Sequence, residues 1–131
     1  MIMISILAEE IYERSIQLKK YNSKNLFFKK NRMALIKDLY AIQELNNDIL
    51  YKLYGETDYS IEYQELALFM SKTLAECALL LTSKSSNYRN TVIRYIWGFH
   101  NLPRAFLPTE NTMKITPKEA MVYYKPYLKL D

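Results

Sequence analysis

Residues 61–81 read IEYQELALFMSKTLAECALLL, and this stretch decides how the rest of the chain must fold. It contains neither glycine nor proline, and one row of side chains recurs at the 3.6-residue period of an α-helix: Tyr63, Ala67, Met70, Leu74, Cys77 and Leu81. A second row widens this apolar stripe to more than half of the circumference: Leu66, Phe69, Thr73 and Leu80. Because such a helix must be covered on several sides, the pattern predicts the central helix of a bundle.

Length and composition favour one helical domain. A chain of 131 residues suits a single domain spanning 1–131, and it can bury a core without the support of a metal or a disulfide. The sequence has only two glycines and four prolines, which long helices tolerate and a sandwich of short strands does not. We therefore predict an all-α fold: a single-domain helical bundle of about four main helices plus a short C-terminal helix.

The bounds of these helices follow from the same period and from the turn residues between them. The predicted helices are Ser5–Tyr21, Asn31–Gly55, Ile61–Leu81, Tyr88–Leu102 and Thr116–Tyr124. Ser5 is the expected N-cap of the first, and Gly55 is expected as the left-handed C′ residue that ends the second. The segment from 102 to 115 is expected to be ordered on the core. Thr116 and Glu119 have the spacing of a capping box with Pro117 at the first helical position.

The sequence carries no motif for catalysis, metal binding or cofactor binding. His100 is the only histidine and Cys77 the only cysteine, so a zinc site, a di-iron bundle site and an internal disulfide lack their ligands or partners. Two isolated glycines exclude a phosphate-binding loop. Cys77 lies on the apolar face of the central helix and is predicted to be a buried, inert thiol. We therefore predict a protein that is not an enzyme and that binds no metal and no cofactor.

Two features bear on localisation. The N-terminal residues lack a basic leader and run directly into Glu9 and Glu10, so we do not expect a secretory signal. The central helix is interrupted by Glu62, Glu65, Lys72 and Glu76, which argues against a membrane span. These features predict a soluble cytoplasmic protein without a membrane association.

Aromatic and basic residues surround Gly98, near the end of the fourth predicted helix: Tyr95, Trp97, Phe99, His100 and Arg104. Trp, Tyr and Arg are enriched at binding hot spots, and a glycine inside a helix usually has a packing reason. That reason is either the close approach of another segment or room for a ligand. One interpretation makes the cluster a binding site for another protein, or the wall of a small-molecule pocket. The other places Trp97 and Phe99 in the core and His100 at the helix end, where a cation is favourable.

Charge is distributed unevenly along the chain. The net charge is +4, but residues 38–76 carry eight acidic and two basic side chains, whereas each flank has a net charge of +5. The densest basic run comprises Lys19, Lys20, Lys24, Lys29, Lys30, Arg32 and Lys37, with Tyr21, Phe27 and Phe28 interleaved. One interpretation is a phosphate-binding surface with aromatics for base stacking. The other is a solvated loop that the acidic middle of the chain balances.

The lack of catalytic chemistry, together with the aromatic surfaces, favours a non-enzymatic interaction module. Such a module is a small adaptor, a regulator or an immunity-type inhibitor that binds another protein through Tyr95, Trp97, Phe99, His100 and Arg104. The alternative is a nucleic-acid-binding accessory protein that uses the basic stretch, whose candidate residues are Lys19, Lys20, Lys24, Lys29, Lys30 and Arg32. A homodimer is a further expectation, because dimerisation would cover an apolar helix face that the bundle leaves open.

Overall fold

The structure is a computed structural model that describes residues 3–55, 59–83, 87–108 and 114–128. Within these ranges it is all-α and has no strand. The α-helices are α1 (Ile4–Gln17), α2 (Lys29–Gly55), α3 (Ile61–Ser83), α4 (Tyr88–Gly98) and α5 (Pro117–Tyr124). Short 3-10 helices lie at Leu18–Lys20, Asn25–Phe27, Phe99–Asn101, Pro103–Phe106 and Lys125–Leu128. The prediction of an all-α bundle with four main helices and a short C-terminal helix is confirmed.

The central position of α3 is also confirmed. α3 packs against α2 on one side and against α4 and α5 on another. The side chains that it buries come from both predicted rows: Leu66, Ala67, Met70, Thr73, Leu74, Cys77 and Leu81. Cys77 is buried, as predicted, and burial raises the pKa of its thiol far above the ordinary range. A buried thiol with a raised pKa is a poor nucleophile, so Cys77 serves as a small apolar core residue.

Two polar side chains of α2 set its alignment with α3. The amide nitrogen of Asn46 donates to the Ala67 carbonyl at 2.9 Å, and that of Gln43 donates to the Ser71 hydroxyl at 2.8 Å. The residue numbers fall along α3 as they rise along α2, so the two helices are antiparallel. Because a buried amide that slipped along its partner would lose its acceptor, these bonds favour one register over its neighbours.

The predicted N-cap of the first helix is wrong. α1 begins at Ile4, its N-cap is Met3 without a side-chain hydrogen bond, and Ser5 lies within the first turn. A helix capped by Ser5 would begin at Ile6, so the observed helix begins two residues earlier, and this extension places Ile4 in the core. The helix ends at Gln17 and continues as a 3-10 turn to Lys20, just before the predicted end at Tyr21.

The predicted end of the second helix needs a similar correction. Gly55 is the last residue of α2, and no glycine among the described residues has a positive φ, so the predicted left-handed C′ glycine is wrong. The left-handed conformation occurs instead at Asn87, with φ of 61°, directly before α4. Asparagine tolerates this conformation better than most residues. The fourth helix ends at Gly98 rather than at Leu102, and a 3-10 turn follows it.

The C-terminal part of the fold closes the bundle over α3 and α4. The predicted capping box is confirmed: the Glu119 amide donates to the Thr116 hydroxyl at 3.1 Å, and the Thr116 amide donates to the Glu119 carboxylate at 3.1 Å. Tyr124 is fully buried, and its hydroxyl donates to the Tyr95 carbonyl at 2.9 Å. The segment before α5 packs on the core as predicted, with Leu102, Ala105 and Phe106 buried; its residues 109–113 lie outside the described residues.

Candidate interaction surfaces

The predicted cluster around Gly98 is divided between the core and the surface. Tyr95 and Phe99 are buried, so the structure removes them from any surface that a partner could contact. Trp97 keeps 41 % of its surface exposed, and His100 and Arg104 are partly exposed. The alternative interpretation is therefore correct for Phe99 and wrong for Trp97. The helical period explains the division, because Tyr95 and Phe99 lie one turn apart on the side of α4 that packs on the bundle.

The reason for a glycine at position 98 is the close approach of the C-terminal segment. A Cβ atom at Gly98 would lie 2.3 Å from both Cγ and Cδ2 of the Tyr127 ring. The ring stacks on Tyr124, with centroids 5.9 Å apart and planes at 21°. Since Tyr127 fills the space beside Gly98, the small-molecule pocket predicted at this glycine is wrong.

Trp97 is held in a fixed position on the surface. Its indole N–H donates to the Tyr21 carbonyl at 2.8 Å. Nδ1 of His100 lies 3.2 Å from the Trp97 carbonyl, and because a carbonyl can only accept, Nδ1 carries the hydrogen. The His100 ring meets the edge of Tyr12, with centroids 6.1 Å apart. Trp97 and His100 are thus both ordered by hydrogen bonds to backbone carbonyls.

Arg104 extends this surface towards α5. Its guanidinium lies 5.4 Å from the centroid of the exposed Tyr123 ring and donates to the Asn101 side chain at 3.4 Å. We call the group Tyr12, Trp97, His100, Arg104 and Tyr123 the Trp97 surface. Burial and the nearby charges of Lys19 and Arg104 lower the pKa of His100 below its usual value, against the raising effect of its bond to the Trp97 carbonyl. The positive charge of the surface at neutral pH therefore comes from Lys19 and Arg104.

The predicted basic stretch forms a corner between α1 and α2, which we call the basic corner: Lys19, Lys20, Lys24, Phe27, Phe28, Lys29, Lys30 and Arg32. Phe27 and Phe28 are exposed by 65 and 62 %. Lys19, Lys24, Lys29 and Lys30 are exposed around them. Exposed rings and exposed amines of this kind fit both a phosphate-binding surface and a solvated loop.

Two of the predicted basic residues have structural partners. The guanidinium of Arg32 donates to the carbonyls of Leu26 and Phe27, at 3.1 and 2.5 Å, and so closes the loop before α2. The Lys20 amine lies 3.6 Å from the Asp38 carboxylate. The guanidinium of Arg89, which the prediction did not include, lies 5.2 Å from the centroid of the Phe27 ring. Arg89 also donates to the Ser23 carbonyl, at 3.4 Å, so Arg32 and Arg89 both hold the loop before α2 beside the exposed lysines.

A third surface was not predicted as a site. The side of the α2–α3 pair that faces away from the bundle exposes large apolar side chains: Met33, Tyr40, Tyr51 and Tyr54 from α2, and Ile61, Leu68 and Leu79 from α3. We call it the α2–α3 face. A groove of about 340 Å³ runs along it and is lined by Leu39, Tyr40, Gln43, Leu74, Ala75, Ala78, Leu79 and Thr82. The signal for it was present in the sequence, because Ile61, Leu68 and Leu79 belong to neither of the two predicted apolar rows.

α3 is more apolar than its burial in the core requires. By length and composition α3 would be able to cross a membrane, yet it packs against α2, α4 and α5. Only 39 % of its most apolar 18-residue stretch is buried. A core helix of a soluble protein can have the same length and apolar composition. Ile61, Leu68 and Leu79, the large apolar side chains of α3 that the bundle leaves exposed, belong to the α2–α3 face.

The His, Cys, Asp and Glu side chains of the described residues are dispersed. Within 3–55, 59–83, 87–108 and 114–128, no group of three His, Cys, Asp or Glu side chains comes together as a metal site would require. His100 has aromatic and cationic neighbours rather than a nucleophile beside it. Comparison with protein-family models, with curated proteins and with solved structures found no match.

Proposed function

We propose that the protein is a non-enzymatic interaction module that binds another protein through the Trp97 surface. The observation that carries this proposal is an exposed Trp97 whose indole N–H is already bonded to the Tyr21 carbonyl. Binding costs conformational entropy when side chains must be immobilised, and a tryptophan that is fixed beforehand avoids most of this cost. Trp, Tyr and Arg are also the residue types that dominate binding energy at interfaces. The adaptor, regulator and inhibitor roles all need such a surface.

The charges around Trp97 define the chemistry of the partner. Lys19 and Arg104 both act on His100, so they lie on the same side of the molecule as Trp97. A partner that offers carboxylates around an apolar recess would pair with these cations and accept the indole ring. Charge complementarity of this kind speeds association and excludes partners of the wrong charge.

The proposal is tested by recovering the partner from the native host with a chemical cross-linker. Wild-type protein, Trp97→Ala and Arg104→Glu serve as baits. We expect both variants to bind the cross-linked species at least about 30-fold more weakly, since a hot-spot residue contributes about 2 kcal/mol or more. Ile6→Ala is the matched control, because Ile6 is an exposed apolar residue of α1 that lies outside both the Trp97 surface and the α2–α3 face. Equal recovery by Trp97→Ala, Arg104→Glu and the control would refute the proposal.

Nucleic-acid binding at the basic corner is the second candidate, and the exposed rings of Phe27 and Phe28 among lysines favour it. Exposed aromatics stack on bases, and each lysine that neutralises a phosphate adds about 0.7 to the salt slope for a single strand. We expect Lys29→Glu with Lys30→Glu to abolish retardation of a single-stranded oligonucleotide at low salt. Lys72→Glu, an exposed lysine of α3, is the control for a charge reversal elsewhere. No retardation by the wild-type protein at low salt excludes this candidate.

A further inference from the structure

Several exposed residues on the α2–α3 face recur at the seven-residue spacing of a helix–helix seam. Ile61, Leu68, Ala75 and Thr82 succeed one another at intervals of seven residues on α3, and Met33, Tyr40 and Tyr54 keep multiples of seven on α2. A seven-residue repeat is the period at which packed helices meet. The small side chains of Ala75 and Ala78 line the groove between the two rows, and small residues let another helix approach closely.

We propose that the occupant of the α2–α3 face is a second copy of this chain. The two copies are related by a two-fold axis that runs across the hairpin formed by α2 and α3, perpendicular to both helix axes. In this dimer α2 lies antiparallel to the partner's α2, and α3 lies antiparallel to the partner's α3. The dimer uses other residues than the Trp97 surface, so each copy keeps that surface open. Dimerisation and partner binding are therefore separate properties.

The register between α2 and α3 shows that the face is self-complementary. Gln43 contacts Ser71 and Asn46 contacts Ala67, so residue numbers fall along α3 as they rise along α2. The midpoint between Lys37 and Glu44 on α2 therefore lies at the height of residue 73 on α3. That height is also the midpoint between Leu68 and Leu79. A single two-fold axis at this height therefore places Lys37 opposite the partner's Glu44 and Leu68 opposite the partner's Leu79 at once.

Exposed charges along α2 select the same orientation. Lys29, Lys30 and Lys37 lie in its N-terminal half, and Glu44 and Asp48 lie in its C-terminal half. An antiparallel pair about this axis sets Lys37 opposite the partner's Glu44 and Lys30 within one turn of the partner's Asp48, whereas a parallel pair of α2 helices would set like charges together. A two-fold axis along the hairpin would bring Leu68 opposite the partner's polar Glu44 and Asn47. The axis across the hairpin thus satisfies both the apolar and the charged residues.

The face is large enough for a stable dimer. α2 and α3 have 27 and 23 residues, so their shared length is about 35 Å at 1.5 Å per residue. Two helices about 10 Å apart give a footprint of roughly 700 Å² per copy. This approaches the roughly 800 Å² per partner of a standard stable interface.

Mass in solution provides the first test, measured by sedimentation over a range of concentrations. We expect a dimer for the wild type, and a dissociation constant raised at least about 30-fold for Leu68→Glu with Leu79→Glu. Both leucines are more than half exposed, at 51 and 65 %, so these changes leave the bundle folded, as circular dichroism would check. Val122→Glu, at an exposed aliphatic residue of α5, is the matched control and stays dimeric.

The orientation has its own tests, which do not depend on the leucine variants. Lys37→Glu and Glu44→Lys should each weaken the dimer, and the double variant should restore it, because the axis pairs these two positions. In a Cys77→Ala background, Tyr40→Cys should form a disulfide-linked dimer, since Tyr40 lies at the axis.

Four results would overturn the proposal: a wild-type monomer at high concentration, a dimer that the leucine variants leave intact, a monomer that binds lipid vesicles through Leu68 and Leu79, or a double charge variant that does not recover. Trp97-dependent binding by a monomer would leave the proposed function standing while removing the dimer.

Discussion

Substituting Gly98 by alanine gives the sharpest test of how the C-terminal segment packs. Two effects oppose each other at this position. Alanine is favoured over glycine by up to about 1 kcal/mol within a helix, and by less at a helix end such as Gly98. Against this, the new Cβ would lie 2.3 Å from two atoms of the Tyr127 ring, so the ring has to leave its place. The sign of the net effect depends on what the docked ring contributes.

The contribution of Tyr127 follows from its burial. A tyrosine buries about 150–250 Å² when fully covered, equivalent to roughly 4–6 kcal/mol at 25 cal/mol/Å². Tyr127 is only partly buried, and ordering the 3-10 turn at Lys125–Leu128 costs conformational entropy. We therefore assign about 2 kcal/mol to the docked ring. Gly98→Ala should then destabilise the protein by about 1–1.5 kcal/mol.

The experiment is a double-mutant cycle measured by urea unfolding. The four proteins are the wild type, Gly98→Ala, Tyr127→Ala and the double variant, followed by far-UV circular dichroism and by the fluorescence of Trp97, the single tryptophan. In the Tyr127→Ala background the steric clash is absent. The effect of Gly98→Ala on the free energy of unfolding should therefore change sign, and the substitution should stabilise the protein by about 0.5–1 kcal/mol. The coupling between the two sites should be about 2 kcal/mol. An effect of Gly98→Ala with the same sign and size in both backgrounds would show that Tyr127 does not occupy this space.

Three further predictions concern other parts of the bundle. Thr116→Ala removes the hydroxyl that caps α5 and should cost about 1 kcal/mol in urea unfolding, whereas Thr116→Ser should retain most of that stability; equal losses would argue against the capping box. Cys77 is buried and the pKa of its thiol is raised, so a thiol reagent at pH 8 should react only as fast as the protein unfolds, and a fast reaction in native buffer would contradict its burial. Burial, Lys19 and Arg104 lower the pKa of His100 below its usual 6.5, so the unfolded chain takes up a proton first as the pH falls. Stability should therefore decrease from about pH 6.5 down to the lowered pKa and level off below it, and His100→Asn should remove that step from a series of urea curves.

The apolar period of the helices was readable from the sequence because it is a local property. The row in α3 that contains Ala67, Met70 and Leu74 is buried as its spacing predicted. The capping box of α5 was equally local, since Thr116 and Glu119 satisfy each other without help from the rest of the fold. Where a tertiary contact decided the outcome, local reasoning failed. Ser5 is a good N-cap residue, but the buried side chain of Ile4 made the helix begin earlier.

The candidate site was predicted less well, because exposure depends on which neighbours cover each side of a helix. Tyr95 and Trp97 lie two residues apart, on opposite sides of α4, and the burial of Tyr95 depends on which of these sides packs on the bundle. The role of Gly98 was beyond sequence reasoning in the same way, since Tyr127 reaches it from the C-terminal segment. Arg32 was predicted as a phosphate ligand. Its hydrogen bonds to backbone carbonyls of the loop depend on the path of that loop in three dimensions, which the sequence does not give.

The surface of α3 indicates which of its sides remains in water. Glu65, Lys72 and Glu76 are exposed and lie within a single strip of the helix, between the α2–α3 face and the side that packs against α4 and α5. If α3 were a core helix of a monomer and nothing more, polar residues would be expected across its whole outer side, as on other surface helices. Instead the half of that side nearest α2 carries Leu68 and Leu79, each more than half exposed. In a monomer these two leucines stay in contact with water without any compensating contact. In the proposed antiparallel dimer they would cover each other, and the charged strip would stay in solvent.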